Sequence, residues 1–437
     1  MKRTAIALAF LAAVMAGPAR AQTPARPAWG RVAFFGNGTS TSTEGGIQST
    51  FNELIANITF ESATGDNVKY EYRADVRMAS YPGADGRPRR VSIYDAYAGV
   101  RLLDGAVGIR GGQMWLNDIG GLGSIAGAAV ELRQQPGPNG GRWRATLFGG
   151  LEPRIMDVGY ASQVLKVGAL AAYEGRGMRR HVVGFVHVRD NGMTERSVFS
   201  FTNFLPVDKR LFVYQAAEWD VAGPGVSGVG SLTYFFVNGR YQATDKVEFQ
   251  GTFHRGRSID SRSIIRDQLD GRPVDPRALD GLKFESFTGR VTVNVLRNVR
   301  VFGGYGQDRN NRDDAVAGRI TFGAYATNIW KTGLDVTLSD SRIDRGSSGS
   351  YDSWYASVGR SLGARVYLTG DYSSSLSVFH FTSLNGFVID TRPLTRRFAV
   401  SGVINAVRGA SLLITAERVL DQNATQTRLL SGITYRF

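Results

Sequence analysis

The sequence predicts an all-β protein. It reads as one transmembrane, antiparallel, up-and-down β-barrel of about 22 strands, within a range of about 16 to 24, with no plug domain. Three observations predict this. Stretches that alternate apolar and polar residues recur from about residue 30 to the end of the chain. Short and long connections between them take turns. The chain ends, "LLSGITYRF", on such an alternating segment rather than on a polar tail.

The elements follow in order. "MKRTAIALAFLAAVMAGPARA" opens with Lys2 and Arg3, runs apolar from residue 5 to 16, and closes on Ala19-Arg20-Ala21. A charged start, an apolar run of about 12 residues and a small-x-small site define a secretory signal peptide; a spanning helix needs roughly 20. Residues 1–21 are therefore expected to be removed on export. Residues 22–29 form a short N-terminal segment, and 30–437 form a single barrel domain. No composition break divides that region.

A first strand is expected near 30–36. "VKYEYRADVRM" then shows the pattern most clearly. Val68, Tyr70, Tyr72, Ala74, Val76 and Met78 make one face, and Lys69, Glu71, Arg73, Asp75 and Arg77 the other. Successive strand residues point to opposite faces, whereas a helix would scatter both sets. "KVEFQGTFH" and "TGRVTVNV" repeat it further on. Tight turns are expected at "SATGDN", "LLDGA", "PGPNGG", "EGRGM", "PVDK", "ATDK", "LRNV", "NIWKTG", "SLGA" and "AVRG". Longer connections lie between them, such as "YPGADGRPRR", "LNDIGGLGSIAG", "TSLNGFVIDTRPL" and, longest, residues 259–281. After residue 21 no apolar run is long enough for a membrane helix. There is no cysteine, so neither disulfides nor thiolate metal sites hold the fold.

A barrel in lipid must pair every backbone group, so its last strand has to close on its first. That accounts for an alternating C terminus. Its residues resemble the C-terminal assembly signal of Gram-negative outer-membrane proteins: Gly432, Tyr435 and Phe437 match the glycine and two aromatic positions. Leu430 departs from it, since a polar residue is usual there. The resemblance implies an integral protein of the bacterial outer membrane, porin-like in architecture. Its partners would be outer-membrane lipid, the assembly machinery of that membrane and small solutes.

The expected function is that of a passive diffusion channel. The formal net charge is +14, with the basic residues, mostly arginine, spread along the chain rather than clustered. Nucleic acid is therefore not an expected partner. Lumen-lining candidates are Lys69, Arg73, Arg77, Arg142, Arg144 and Arg290, answered by Glu71 and Asp75. Arg300, Arg319, Arg397 and Arg428, with Asp95, Glu248 and Asp371, are also expected to point inward. Two readings stand for these charges: ion pairs that satisfy one another, or a positive field that favours anions.

No catalytic residue, cofactor or metal ligand is expected. His181 and His187 are six apart in "HVVGFVH", hence on one face of a strand, but no serine can be named as their nucleophile. "GLGSIA" fits a dinucleotide fingerprint only formally, because no amphipathic helix follows; as a glycine-rich loop it could fold into the lumen. Width poses the remaining question, because known barrels of about 22 strands are plugged. Fewer strands, inward loops or a lumen-filling partner protein would each solve it. The last would resemble the barrel sheath of porin–cytochrome conduits, and is the alternative function; any haem would be the partner's.

Overall fold

A computed structural model describes residues 28–437, apart from 63–67, 84–88, 139, 155–157, 314, 383–387 and 408. The expected signal peptide lies outside the described residues. Twenty-two antiparallel strands close into a barrel. The first four hairpin arms are β1 (Ala28–Thr43), β2 (Gln48–Ser62), β3 (Tyr70–Ser80) and β4 (Arg90–Leu102). Five more are β5 (Val107–Trp115), β6 (Ser124–Arg133), β7 (Arg142–Pro153), β8 (Tyr160–Glu174) and β9 (Arg180–Asp190). Then come β10 (Met193–Pro206), β11 (Leu211–Ala222), β12 (Ser231–Gln242), β13 (Val247–Ser258) and β14 (Leu282–Leu296). The circuit continues through β15 (Val299–Asn310), β16 (Ala317–Ile329), β17 (Leu334–Asp344), β18 (Gly349–Leu362) and β19 (Val366–Thr382). It finishes with β21 (Leu394–Val407), β22 (Ala410–Leu420) and β23 (Ala424–Arg436); a short β20 (Val388–Thr391) only extends the free end of β19.

The first strand starts at Ala28, two residues inside the expected N-terminal segment, and reaches Thr43. It pairs with β2 on one side and β23 on the other, from Arg31↔Arg436 to Thr43↔Ala424. Beyond that ladder Gly30 and Phe437 exchange both backbone hydrogen bonds at 3.0 Å. The Phe437 ring lies over Gly30, where any Cβ would overlap it, and Phe35 lies over Gly432 in the same way. Both chain ends and the short turns share one rim. At "LLDGA" there, Ala106 N donates to Leu103 O at 3.0 Å, and the central residues Asp104 and Gly105 take φ of 52° and 85°, the left-handed pair that matches strand twist in a tight hairpin. The opposite rim carries the longer connections.

Side-chain parity divides the wall as the alternation predicts. One face carries exposed apolar residues on strand after strand: Phe34, Leu54, Phe60, Leu147, Val183, Phe199 and Phe322, with Leu147 66% exposed. Tyr72 stacks on Phe60 there, ring centroids 5.3 Å apart. The other face carries the charges. In a closed barrel of this kind the apolar face suits lipid and the charged face lines the lumen.

Two connections depart from a simple hairpin and pack on the charged face. Strands β5 and β6 are short, and between them a 3-10 segment, Asn117–Gly123, turns back along the wall. The expected loop at 116–127 is therefore shorter, because Ser124 already belongs to β6. Ile119 reaches Gly184 of β9, where an added Cβ would strike its Cγ2. With Met114, Leu122, Ile125, Phe148, Leu170, Val186 and Val198 it forms a small apolar core inside the barrel; Val186 is 0% exposed. The second is the long connection 259–281, which folds as helix α1 (Ser261–Leu269) and helix α2 (Pro276–Asp280). Asp260 caps α1 by accepting from Ser263 N at 3.1 Å, as an N-cap does. Ile264 and Ile265, 2% and 1% exposed, anchor it beside β10.

Candidate functional site

The candidate site is the lumen. Its chemistry follows from pairing register, which sets charged residues of neighbouring strands side by side. On β3, Arg73 faces Glu61 of β2. It bonds Glu61 at 3.4 Å and Asp95 at 3.1 Å, and approaches Asp75 at 4.0 Å. Arg77 meets Glu53 at 3.7 Å. Glu71 takes Arg101 as a close ion-pair partner. Arg290 meets no carboxylate among the described residues; its guanidinium lies 3.8 Å from the centre of the Phe302 ring. Lys69 precedes β3 at the short-turn rim, with its ammonium 5.5 Å from the Tyr70 ring, so it stands at the mouth rather than on the wall.

The densest network runs across β4–β9 near the short-turn rim. Glu131 is 2% exposed and receives Arg110 at 3.0 Å, Arg133 at 2.7 Å, Arg144 at 3.2 Å and Arg101 at 3.5 Å. Arg142 bonds Glu174 at 2.7 Å. Arg144 also bonds Asp118 at 2.7 Å and Glu174 at 3.4 Å, and Arg180 pairs closely with Asp118 as well. The inward 3-10 segment is thus tied to two strands through one carboxylate. Among the described residues, six arginines here (101, 110, 133, 142, 144 and 180) stand against four carboxylates (Glu71, Asp118, Glu131 and Glu174).

A second network lies towards the long-loop rim. Arg262 of α1 bonds Glu152 at 2.7 Å and Glu195 at 3.1 Å, and Lys166 meets Glu152 at 2.9 Å. Arg196 bonds Glu218 at 2.6 Å and Asp220 at 2.8 Å. The buried Asp190 and Glu152 line one cavity with Arg154, Arg262 and Arg266.

Most inward arginines are paired, so of the two sequence readings mutual satisfaction describes the greater part of the network. Three residues that carry it, Glu131, Asp118 and Arg262, escaped sequence reasoning. Glu131 sits in "GAAVELR", an alternating stretch that could have revealed it; the other two sit on loops, where period gives no signal.

The histidines divide. His181 and His187 do share a face, but it is the outward one, beside exposed Val183. His187 Nδ1 lies 2.7 Å from Ser197 Oγ, and among the described residues no acidic or amide group orients that pair as a triad would need. His254 faces the lumen among Tyr234, Phe236 and Phe284. His380 bonds Asp390 at 2.7 Å beyond the barrel wall, on the β19–β20 extension. In the proposed assembly signal, the Tyr435 and Phe437 rings stack with centroids 6.0 Å apart, and Gly432 makes room for Phe35.

No family model and no curated protein matches this chain. Solved structures similar in fold include Acinetobacter baumannii OccAB4, at 11% identity over 95% of this chain and 100% of that one, TM-score 0.43. Pseudomonas aeruginosa OccK8 (OprE) matches at 9% identity over 94% and 98%, TM-score 0.44. The translocation pore of the P pilus usher PapC matches at 13% identity over 93% and 99%, TM-score 0.43. The chain resembles Gram-negative outer-membrane barrels at the level of architecture. These likenesses say nothing about a solute.

Proposed function

We propose that this chain is a porin-like diffusion channel of the bacterial outer membrane, without enzymatic activity, whose lumen is narrowed by its own loops. The observation that carries the reading is the packing of two connections, 117–123 and 259–281, on the charged inner wall, each held by ion pairs to strands far away in sequence. A barrel this wide needs something in its lumen, and the chain supplies part of it. The basic patch around Glu131 supports a preference for anions at the short-turn mouth. Among the described residues, Arg101 Nη1 and Arg144 Nε are buried there without a hydrogen-bond partner, so the guanidinium charge is not fully neutralised.

The test is conductance. The purified mature chain alone, in a planar bilayer under a potassium chloride gradient, is expected to give stable channels that favour chloride. The preference should fade at molar salt, where screening shortens to about 3 Å. Heat-modifiable migration of the protein from the outer-membrane fraction is the accompanying check on location. Cation selectivity would overturn the anion preference. Erratic, very large conductance, together with another chain co-purifying from native membranes, would favour the sheath alternative.

A further inference from the structure

Strands β10–β14 carry aromatic rings on the inner face, where a water-filled lumen is ordinarily lined by polar groups. From the short-turn rim, Phe212 meets Phe204 with centroids 4.8 Å apart. Phe204 stands opposite Tyr214 in the register. Tyr214 meets Phe236 at 5.8 Å, Phe236 meets His254 at 6.0 Å, and His254 meets Phe284 at 4.9 Å. The chain of rings climbs diagonally across five strands. All six residues are half-buried, so each keeps surface towards the lumen.

The strip joins two cavities. Its lower end opens into one of about 510 Å³ beneath the 3-10 segment, lined by Asp118, Arg180, Phe204 and Tyr214. Its upper end reaches one of about 420 Å³ beside α1, lined by Arg262, Tyr234 and Phe284. Phe284 lies across Gly256, whose missing side chain leaves the ring its place. Packing under the α1 loop accounts for the upper rings at most, since Phe204, Phe212 and Tyr214 sit at the opposite end of the wall.

Neutral hydrogen-bonding groups flank the rings. Asn238 Nδ2 donates to Thr252 Oγ1 at 2.7 Å, and Thr202 and Gln250 lie on the same face. Of the neighbouring cations, Arg196 is held by Glu218 and Asp220, and Arg240 by Glu248 at 2.8 Å. Arg290, opposite Gln250, lies over the Phe302 ring, and Arg179 and Arg257 at the two cavities donate to backbone carbonyls. An aromatic carboxylate would have to draw one of these away from its partner. A pyranose ring wants what is present, a flat apolar face to stack on and neutral partners for its hydroxyls.

We propose that this strip is a binding track for the pyranose rings of a linear oligosaccharide, leading from one cavity to the other. The proposal rests on the channel reading and adds a solute class to it.

The experiment uses the mature chain in a planar bilayer with millimolar maltohexaose or cellohexaose on one side, and benzoate as the comparison. One glucan or both should interrupt the current. Phe236→Ala and Tyr214→Ala should each weaken the interruption roughly tenfold, the loss expected when one stacking ring is removed. Phe236→Trp should restore it. Heat-modifiable migration reports folding; should Phe236→Ala not fold, Phe236→Leu keeps the apolar bulk while removing the ring face. Stable channels that neither glucan interrupts, or interruption that survives loss of the rings, would overturn the track and leave the channel standing. Interruption by benzoate without glucan would overturn the pyranose assignment. If the chain does not conduct, titration calorimetry with the same glucans decides. Heat that disappears in Phe236→Ala keeps the track while the channel reading falls, and absence of heat overturns the track.

Discussion

The two halves of the inner wall are built differently. From β2 to β14 it carries the larger ion-pair networks, the small apolar core, the aromatic strip and both inward loops. From β15 to β23 hydroxyls predominate, as in Thr321 against Ser341 at 3.1 Å, Ser401 against Thr415 at 3.0 Å and Tyr355 against Asp371 at 2.6 Å. The alternation in sequence is equally good in both halves, so strand formation does not need the padding. What the padding changes is the space. A wall lined by hydroxyls leaves the lumen wide, whereas loops tied down on the facing wall narrow it and give it a charge profile. The asymmetry suggests that selectivity resides on the padded side.

Removing the padding should have the largest effect. Replacing residues 260–280 by a short turn deletes α1, α2 and the Arg262 clamp, and single-channel conductance should rise several-fold. Unchanged conductance would mean that the loop does not narrow the path. Next in size is Glu131→Gln, which leaves four arginines without their shared carboxylate. Breaking a buried pair typically costs about 3–5 kcal/mol. The matching change on the bare wall, Glu417→Gln, releases among the described residues only Arg397, 2.7 Å away and 40% exposed, and should cost about 1 kcal/mol or less. Urea unfolding in lipid vesicles compares them, and equal losses would abolish the distinction between the walls.

The outward face gives a third comparison. Val76→Arg puts a charge on the lipid-facing side midway along β3, at a cost of roughly 2–4 kcal/mol near the midplane. Arg73 on the same strand is not the spare lumen charge that alternation suggests, because Asp95 and Glu61 depend on it. A fairer inward control is Arg300→Gln on the bare wall, where Arg300 Nη1 donates to Tyr325 Oη at 2.8 Å. It should change stability by no more than about 0.5 kcal/mol. If Arg300→Gln harmed folding as much as Val76→Arg, the assignment of faces would be wrong. Smallest of all should be Thr321→Val, which removes one hydroxyl contact and stays within about 0.5 kcal/mol by the same measure.

Period and parity were legible in the sequence because they are local. "VKYEYRADVRM" puts Tyr72 outside and Arg73 inside without any knowledge of neighbours. Register is not local. That Glu131 would collect Arg101, Arg110, Arg133 and Arg144 depends on how four strands are offset, which residue types alone do not state. The inward loops were harder still. The glycine-rich turn at 117–123 was open to folding inward, but its anchors, Arg144 and Arg180, come from other strands. Arg262 finds Glu152, 110 residues away, across the wall. The aromatic strip was hidden for the same reason, since its members come singly from strands that each look ordinary.

The seam between Gly30 and Phe437 also has a consequence in time. Every other strand pair joins neighbours along the chain through a turn or a connection of limited length. The seam alone joins residues at opposite ends of it. By the logarithmic growth of loop-closure entropy, joining ends that far apart rather than across a four-residue turn opposes closure by roughly 4 kcal/mol more. Hairpins therefore zip early and the seam is the last ladder to form. Until then β1 and β23 are open sheet edges, exposed to pairing with the wrong strand. A terminal phenylalanine that drops its ring over a glycine gives those edges a keyed end, which rejects a partner offset by even one residue.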